Sequence, residues 1–226
     1  MNERTALHYA WYDFWRTALH VGEILYMGVR HFGQHNIPQT GPVLVVSNHQ
    51  SHFDPPLVGS GSARHMNYLA RETLFVGLFG RFIYSVDAIP IDRDGLGLSG
   101  IKEALRRLKA GEMVLIFPEG TRSPDGEIKP FKSGFTTLAT RTKAAILPVA
   151  VDGAYRAWPK REKLPKPGNA LVRYGKPILP RETAGLSDRQ LVAEVERRVR
   201  ECQAWLRRHP LLRVARPQTS GFREPG

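Results

Sequence analysis

The stretch Val43-Leu44-Val45-Val46-Ser47-Asn48-His49-Gln50-Ser51-His52-Phe53-Asp54-Pro55-Pro56 passes from an apolar run into histidine, carboxylate and proline within a few residues. The run Val43 to Val46 follows Gly41-Pro42, is too short for a helix and is rich in valine. It reads as a strand buried on both faces, the environment of a parallel sheet. Asp54 ahead of Pro55-Pro56 is a helix-start signal. A carboxylate can cap free amides, and proline at the first helical position lacks only an N–H that has no partner there. His49 and Asp54 therefore sit at the two ends of a short turn leaving a parallel strand, where open α/β sheets hold their ligands. On a continuous helix their separation would turn the two side chains apart. A turn instead folds Asp54 back onto one imidazole nitrogen and leaves the other for substrate. A histidine held in one tautomer by a carboxylate is suited to taking a proton from an alcohol. Taken alone, the same spacing equally suits a hydrogen-bonded pair that stabilises the turn.

Other stretches share this design. Met113-Val114-Leu115-Ile116-Phe117-Pro118-Glu119-Gly120-Thr121-Arg122-Ser123 is again a buried strand ending in a turn, with Pro118 and Gly120 shaping the backbone that presents Glu119 and Arg122. A guanidinium there can grip phosphate through two parallel hydrogen bonds. Ala88-Ile89-Pro90-Ile91-Asp92-Arg93-Asp94 is an apolar strand running into arginine, and the following Gly95-Leu96-Gly97 lacks Rossmann or Walker spacing. Ala145-Ile146-Leu147-Pro148-Val149-Ala150-Val151 is a further strand. Arg71-Glu72-Thr73-Leu74-Phe75 follows the strand His65 to Ala70, and Phe131-Lys132-Ser133-Gly134 opens a helix through Arg141.

In this order the blocks resemble those of the glycerolipid acyltransferases, the family of bacterial 1-acylglycerol-3-phosphate (lysophosphatidic acid) acyltransferases. The first matches N-H-x-S-x-x-D, and Phe117 to Ser123 matches F-P-E-G-T-R-S almost letter for letter. The resemblance runs from Val43 to Val151, about half the chain. It implies transfer of a fatty acyl group from a thioester, on CoA or acyl carrier protein, to the free sn-2 hydroxyl of 1-acylglycerol 3-phosphate, giving phosphatidic acid. His49 would be the general base and Asp54 would hold its tautomer. Arg93 and Arg122 would bind the acceptor's phosphate, with Arg71, Glu119, Gly120, Thr121 and Lys132 completing the substrate site. No metal and no cofactor beyond the acyl-donor co-substrate is implied. The implied partners are lysophosphatidic acid, the donor and a phospholipid membrane surface, at the cytoplasmic face of the cell membrane. Glycerol 3-phosphate, another lysophospholipid or a lyso-aminolipid stay open as acceptors, because His52 and Phe53 fill variable positions of the first block.

The chain has 226 residues and a formal net charge of +12, from Lys plus Arg 33 against Asp plus Glu 21. Such a balance points to anionic partners. The basic residues are scattered and no nucleic-acid motif accompanies them, so nucleic acid is not expected. The single cysteine, Cys202, falls on a helical stripe and suits packing. No signal peptide and no spanning apolar run is read. Two rivals remain: a metal-dependent hydrolase built on His49, His52 and Asp54, for which no second ligand cluster is in view, and a non-catalytic module for anionic lipid.

The fold class expected is α/β, a single domain with a mostly parallel central sheet flanked by helices, preceded by an N-terminal amphipathic membrane-interface helix. From Thr5 to Arg30 the residues Leu7, Trp11, Phe14, Ala18, Val21 and Leu25 recur at threes and fours, opposite Asp13, Arg16, Thr17, His20 and Glu23. Gly22 is a candidate break. The rings of Tyr9, Trp11, Tyr12, Phe14 and Trp15 suit a bilayer's headgroup layer. Leu57 to Ser62 and Ser99 to Ala110 are expected helices, and the apolar face of Val76 to Ile83 suits acyl-chain space or the core. Ala154 to Gly168 reads as an irregular basic loop and Ala170 to Tyr174 as a last strand. Ser187 with Gln190 forms a capping box for a final helix whose buried stripe is Leu191, Val195, Val199, Cys202 and Leu206. The expected division is 1–35 membrane-contact helix, 36–210 acyltransferase domain and 211–226 basic flexible tail.

Overall fold

A computed structural model describes residues 5–91, 98–162 and 164–209. Arg93 and the basic tail lie outside the described residues. In chain order the elements are α1 (Ala6–Met27), β1 (Arg30–Phe32), β2 (Val43–Ser47), α2 (Asp54–Ser60), β3 (Met66–Arg71), α3 (Gly77–Ser85), β4 (Ala88–Ile91), α4 (Leu98–Lys109), β5 (Met113–Ile116), α5 (Thr136–Thr142), β6 (Ala145–Asp152), α6 (Ala154–Ala157), β7 (Leu171–Tyr174), α7 (Pro180–Thr183) and α8 (Asp188–Arg208).

The strands form one seven-stranded sheet in the order β1-β7-β6-β2-β5-β3-β4. Every pairing is parallel except β6 with β7. Central β2 is paired on both sides, Val43 facing Met113 on β5 and Ala145 on β6. Strands buried on both sides and both faces have no solvent side to write as polar, hence their unbroken valine, leucine and isoleucine. Their alternate side chains feed two cores. Leu44, Val46, Val114, Ile116 and Ile146 pack with α4, α5 and the predicted stripe of α8. Val43, Val45, Met113, Leu115 and Leu147 pack with Leu57 and Val58 of α2 and with Met27 at the end of α1. Ser187 and Gln190 cap α8 reciprocally, as their spacing predicts.

Some expectations are corrected. Gly22 does not interrupt α1, which runs unbroken to Met27. Three-residue β1 is too short for a pattern to announce it, and its place at the sheet edge comes from pairing with β7. Within the basic loop, Ala154–Ala157 forms a single helical turn whose alanines are buried. Asp54 is the first residue of α2, not a cap before it, so the two prolines fall one position later, still within the first turn.

Helix α1 is turned inside out relative to an ordinary surface helix. Its apolar stripe is exposed, with Leu7 80%, Phe14 61% and Leu25 82% accessible. The face toward the protein is largely polar. Tyr12 Oη lies 3.3 Å from the Met66 carbonyl and 2.9 Å from Tyr68 Oη. Buried Glu23 accepts from Ser60 Oγ at 2.6 Å, and Trp11 Nε1 donates to Ser85 Oγ at 2.9 Å. Helix α3 prolongs the apolar surface with Leu78 and Phe79 exposed, and Phe82 meets Trp15 edge-on at 4.9 Å. Among the described residues no helix is long and apolar enough to cross a membrane.

Candidate active site

Because β2, β5, β3, β4 and β6 run parallel, their carboxyl ends lie together, and the turns after β2 and β5 are neighbours. The turn after β2 carries His49. Its Nδ1–H donates to Asp54 Oδ2 at 2.7 Å. That oxygen also accepts the main-chain N–H groups of Gln50 and Ser51, the latter at 2.7 Å. Asp54 thus folds backward onto the turn and does not cap the free amides of α2. Its side chain is fully buried, and Oδ1 has no hydrogen-bond partner among the described residues. Three donors on one oxygen fix both the carboxylate and the imidazole it orients. The Phe117 ring lies over the imidazole at 4.1 Å with the planes 19° apart.

The turn after β5 is laced to the first turn. Glu119 Oε1 accepts the His49 N–H at 2.9 Å, and Glu119 Oε2 accepts the Lys129 N–H at 3.2 Å. The Ser123 N–H donates to the His49 carbonyl at 2.7 Å. Burial pushes the Glu119 carboxyl up to about 7, with the Asp54 charge adding to the rise and the two amide hydrogen bonds opposing it. Gly120 holds φ 73°, which glycine adopts freely, and this bend lets Lys132 Nζ lie across it. Thr121 Oγ1 accepts from Lys160 Nζ at 3.3 Å. The Arg122 guanidinium is near enough to His52 to help lower that imidazole's pKa, after burial, the larger cause.

The structure therefore brings His49, Asp54, Glu119, Gly120, Thr121, Arg122 and Lys132 together. Arg71 ends β3 at the same end of the sheet, beyond β5. Neither Phe117 nor Trp158 stands out as a site residue in the sequence. Trp158 meets the rings of His52 at 4.9 Å and Phe53 at 5.0 Å, walling one side of the turn with the basic segment. The signal for Phe117 is its place before Pro118, at the point where strand becomes turn. Among the described residues no group of three or more His, Cys, Asp or Glu side chains is disposed to hold a metal ion. Chemically, an oriented imidazole beside a cationic rim can deprotonate a hydroxyl on an anionic molecule.

Comparison with known proteins places this geometry in company. Residues 28–152 match the family model described as Acyltransferase. The chain is 32% identical over 184 residues to a 1-acyl-sn-glycerol-3-phosphate acyltransferase of Bacillus subtilis, covering 80% of this chain and 89% of that protein. It is 34% identical over 178 residues to one of Pseudomonas aeruginosa, covering 77% of this chain and 65% of that protein. The crystal structure of the 1-acyl-sn-glycerophosphate acyltransferase of Thermotoga maritima superposes with a TM-score of 0.79 at 27% identity, covering 92% of this chain and 85% of that one.

Proposed function

The chain belongs to the acyltransferase family, and on that premise we propose that it moves a fatty acyl group from CoA or acyl carrier protein to the sn-2 hydroxyl of 1-acylglycerol 3-phosphate, forming phosphatidic acid. The observation that carries this reading is the 2.7 Å hydrogen bond from His49 Nδ1 to buried Asp54 at the carboxyl end of β2. With Nδ1 protonated, Nε2 is the basic nitrogen. It takes the hydroxyl proton as the oxygen attacks the thioester carbonyl. The new C–O bond forms, the C–S bond breaks, and the imidazolium returns its proton to the departing thiolate. Asp54 stabilises that imidazolium. Arg122 is assigned to the acceptor's phosphate, which positions the hydroxyl over His49. Lys132 and Lys160 add positive charge along the rim, and Arg71 and Arg93 complete the substrate contacts in this proposal.

The acceptor is a lipid, so the site must meet a bilayer. The outward apolar faces of α1 and α3 are assigned to the headgroup boundary at the cytoplasmic face of the cell membrane, in a peripheral or monotopic arrangement. Tyr26 at the end of α1 donates to the Pro165 carbonyl at 3.0 Å, which holds the basic segment beside this apolar surface.

Transfer of labelled acyl groups from acyl-CoA, and separately from acyl carrier protein, to 1-acylglycerol 3-phosphate tests the reading. Label should appear in phosphatidic acid and fall ~10²–10⁴-fold in His49→Ala, the usual worth of a general base. A His49→Ala protein as active as the parent would end the proposal.

A further inference from the structure

Glu119 is the acid of the second turn, and it is 4% exposed. Each of its oxygens is occupied by the main chain: Oε1 by the N–H of His49 at 2.9 Å, Oε2 by that of Lys129 at 3.2 Å. The first amide belongs to the residue assigned as base. The second belongs to the segment that returns past the turn, where the Lys132 N–H donates to the Pro118 carbonyl at 3.1 Å. A carboxylate committed in this way is poorly placed to bind a substrate's hydroxyls or to face its phosphate. We propose that Glu119 is a positioning residue, not a substrate ligand: it fixes the backbone from which the His49 imidazole projects, and so governs turnover while leaving acceptor affinity to Arg122. The inference rests on the acyl-transfer reading above for the reaction it serves.

Charge makes the brace sensitive to pH. An ionised carboxylate accepts both amides; a protonated one turns one oxygen into a donor and must release or weaken one of them. The charged groups acting on Glu119 are Asp54 from α2, which disfavours its ionisation, and Lys129 from the returning segment, which favours it. The His49 imidazole projects from the residue whose amide it holds. With burial as the main cause, the carboxyl titrates at about 7. The brace is therefore complete above that pH and loosens below it.

Two measurements on the full chain test this. In the protein without substrate, the Lys129 amide chemical shift is followed across about pH 5.5–8.5, which brackets the imidazole and raised-carboxyl range. It should titrate near neutrality in the parent, still titrate in His49→Ala, and stay flat in Glu119→Gln. In steady-state assays, Glu119→Gln should lower kcat on the order of 10²-fold, as expected for a reacting group displaced by about 1 Å, with the acceptor KM within about threefold. Arg122→Ala should show the opposite split. A flat Lys129 amide in the parent overturns the pH dependence of the brace. A Glu119→Gln protein that raises the acceptor KM at unchanged kcat, or one whose kcat equals the parent's, overturns the positioning role. Should Glu119→Gln not fold, Glu119→Asp, which keeps the charge and shortens the reach, is read by the same split between kcat and acceptor KM. A parent that transfers no acyl group sinks the acyl-transfer reading, while the amide titration still reports on the brace.

Discussion

At His49 the start of α2 and the turn after β5 converge on one residue. Asp54 holds the ring nitrogen, Glu119 the amide and Ser123 the carbonyl, while Phe117 lies across the face of the ring. Asp54 is the more demanding of the two acids, because one oxygen serves three donors in a fully buried place. Asn at this position can present its carbonyl to the same donors, whereas Leu can present nothing. Asp54→Asn is expected to fold and to lose on the order of 10²-fold or more in kcat, for want of the charge that stabilises the imidazolium. Asp54→Leu should cost roughly 3 kcal/mol or more in stability, since each buried donor left unpaired costs about 1–3 kcal/mol. Urea unfolding of both proteins measures the contrast. Arg122→Ala should raise the acceptor's KM more than the donor's, read from initial rates with each substrate varied. The pairing of His49 with Asp54 is legible in the sequence because spacing and proline fix the turn. The direction of Asp54's other bonds is not, since a carboxylate reaches forward to a helix or backward to a turn with the same letters. Glu119 is obscured in the same way: residue type marks an acid, but only the turn decides whether it faces solvent, substrate or main chain.

Helix α1 raises a different question, because its periodicity is visible in the sequence while its orientation is not. An amphipathic pattern says that two faces differ and nothing about which one meets the protein. Here the inner face buries Glu23 against Ser60, whose hydroxyl also lies 3.5 Å from Nε2 of His31 on β1. Burial pushes Glu23 up to about 7 and His31, whose Nε2 lies 2.8 Å from the Leu57 carbonyl, down to about 4. The folded chain keeps His31 neutral while the unfolded chain protonates it, so its contribution is lost as pH falls from 6.5 toward 4. The folded chain keeps Glu23 protonated while the unfolded chain ionises it, so its contribution is lost as pH rises from 4.5 toward 7. Between 4.5 and 6.5 the two slopes oppose each other. Stability curves for single substitutions should uncover each one, at up to about 1.4 kcal/mol per pH unit. His31→Gln should become less stable with rising pH over that window, and Glu23→Gln less stable with falling pH. Parallel curves for the parent and both variants would contradict this. Packing of α1 also passes through α2 at Gly59, where an added Cβ would stand 2.0 Å from Tyr68 Oη, the partner of Tyr12. Gly59→Ala should lower the melting temperature by disturbing both helices, at a cost of about 1–3 kcal/mol for overpacking.

On the scale of the whole molecule, the parallel order of β2, β5, β3, β4 and β6 gathers the motif turns at one end, and buried runs ending in turn residues make that much readable in advance. The strand β7 is readable but its antiparallel direction is not, nor are the short β1 and the turn of α6, because these depend on neighbours far away in sequence. The same end of the sheet carries the basic rim, and the last turn of α1 reaches the basic segment where Tyr26 donates to the Pro165 carbonyl. Replacing Leu7, Phe14 and Leu25 together with Asp is expected to abolish co-sedimentation with vesicles containing phosphatidylglycerol and to leave the thermal transition in lipid-free buffer nearly unchanged, since these side chains are already exposed. Retained sedimentation would place the contact elsewhere. The inverted α1 has one more consequence. In the proposed arrangement lipid would supply the missing half of the hydrophobic wrapping of a helix joined to its own protein through polar contacts. Anything that binds the native chain but not the unfolded one stabilises it, so the bilayer would then be a component of the fold. Heat resistance should climb with lipid concentration, and without lipid the protein should self-associate through this exposed apolar face.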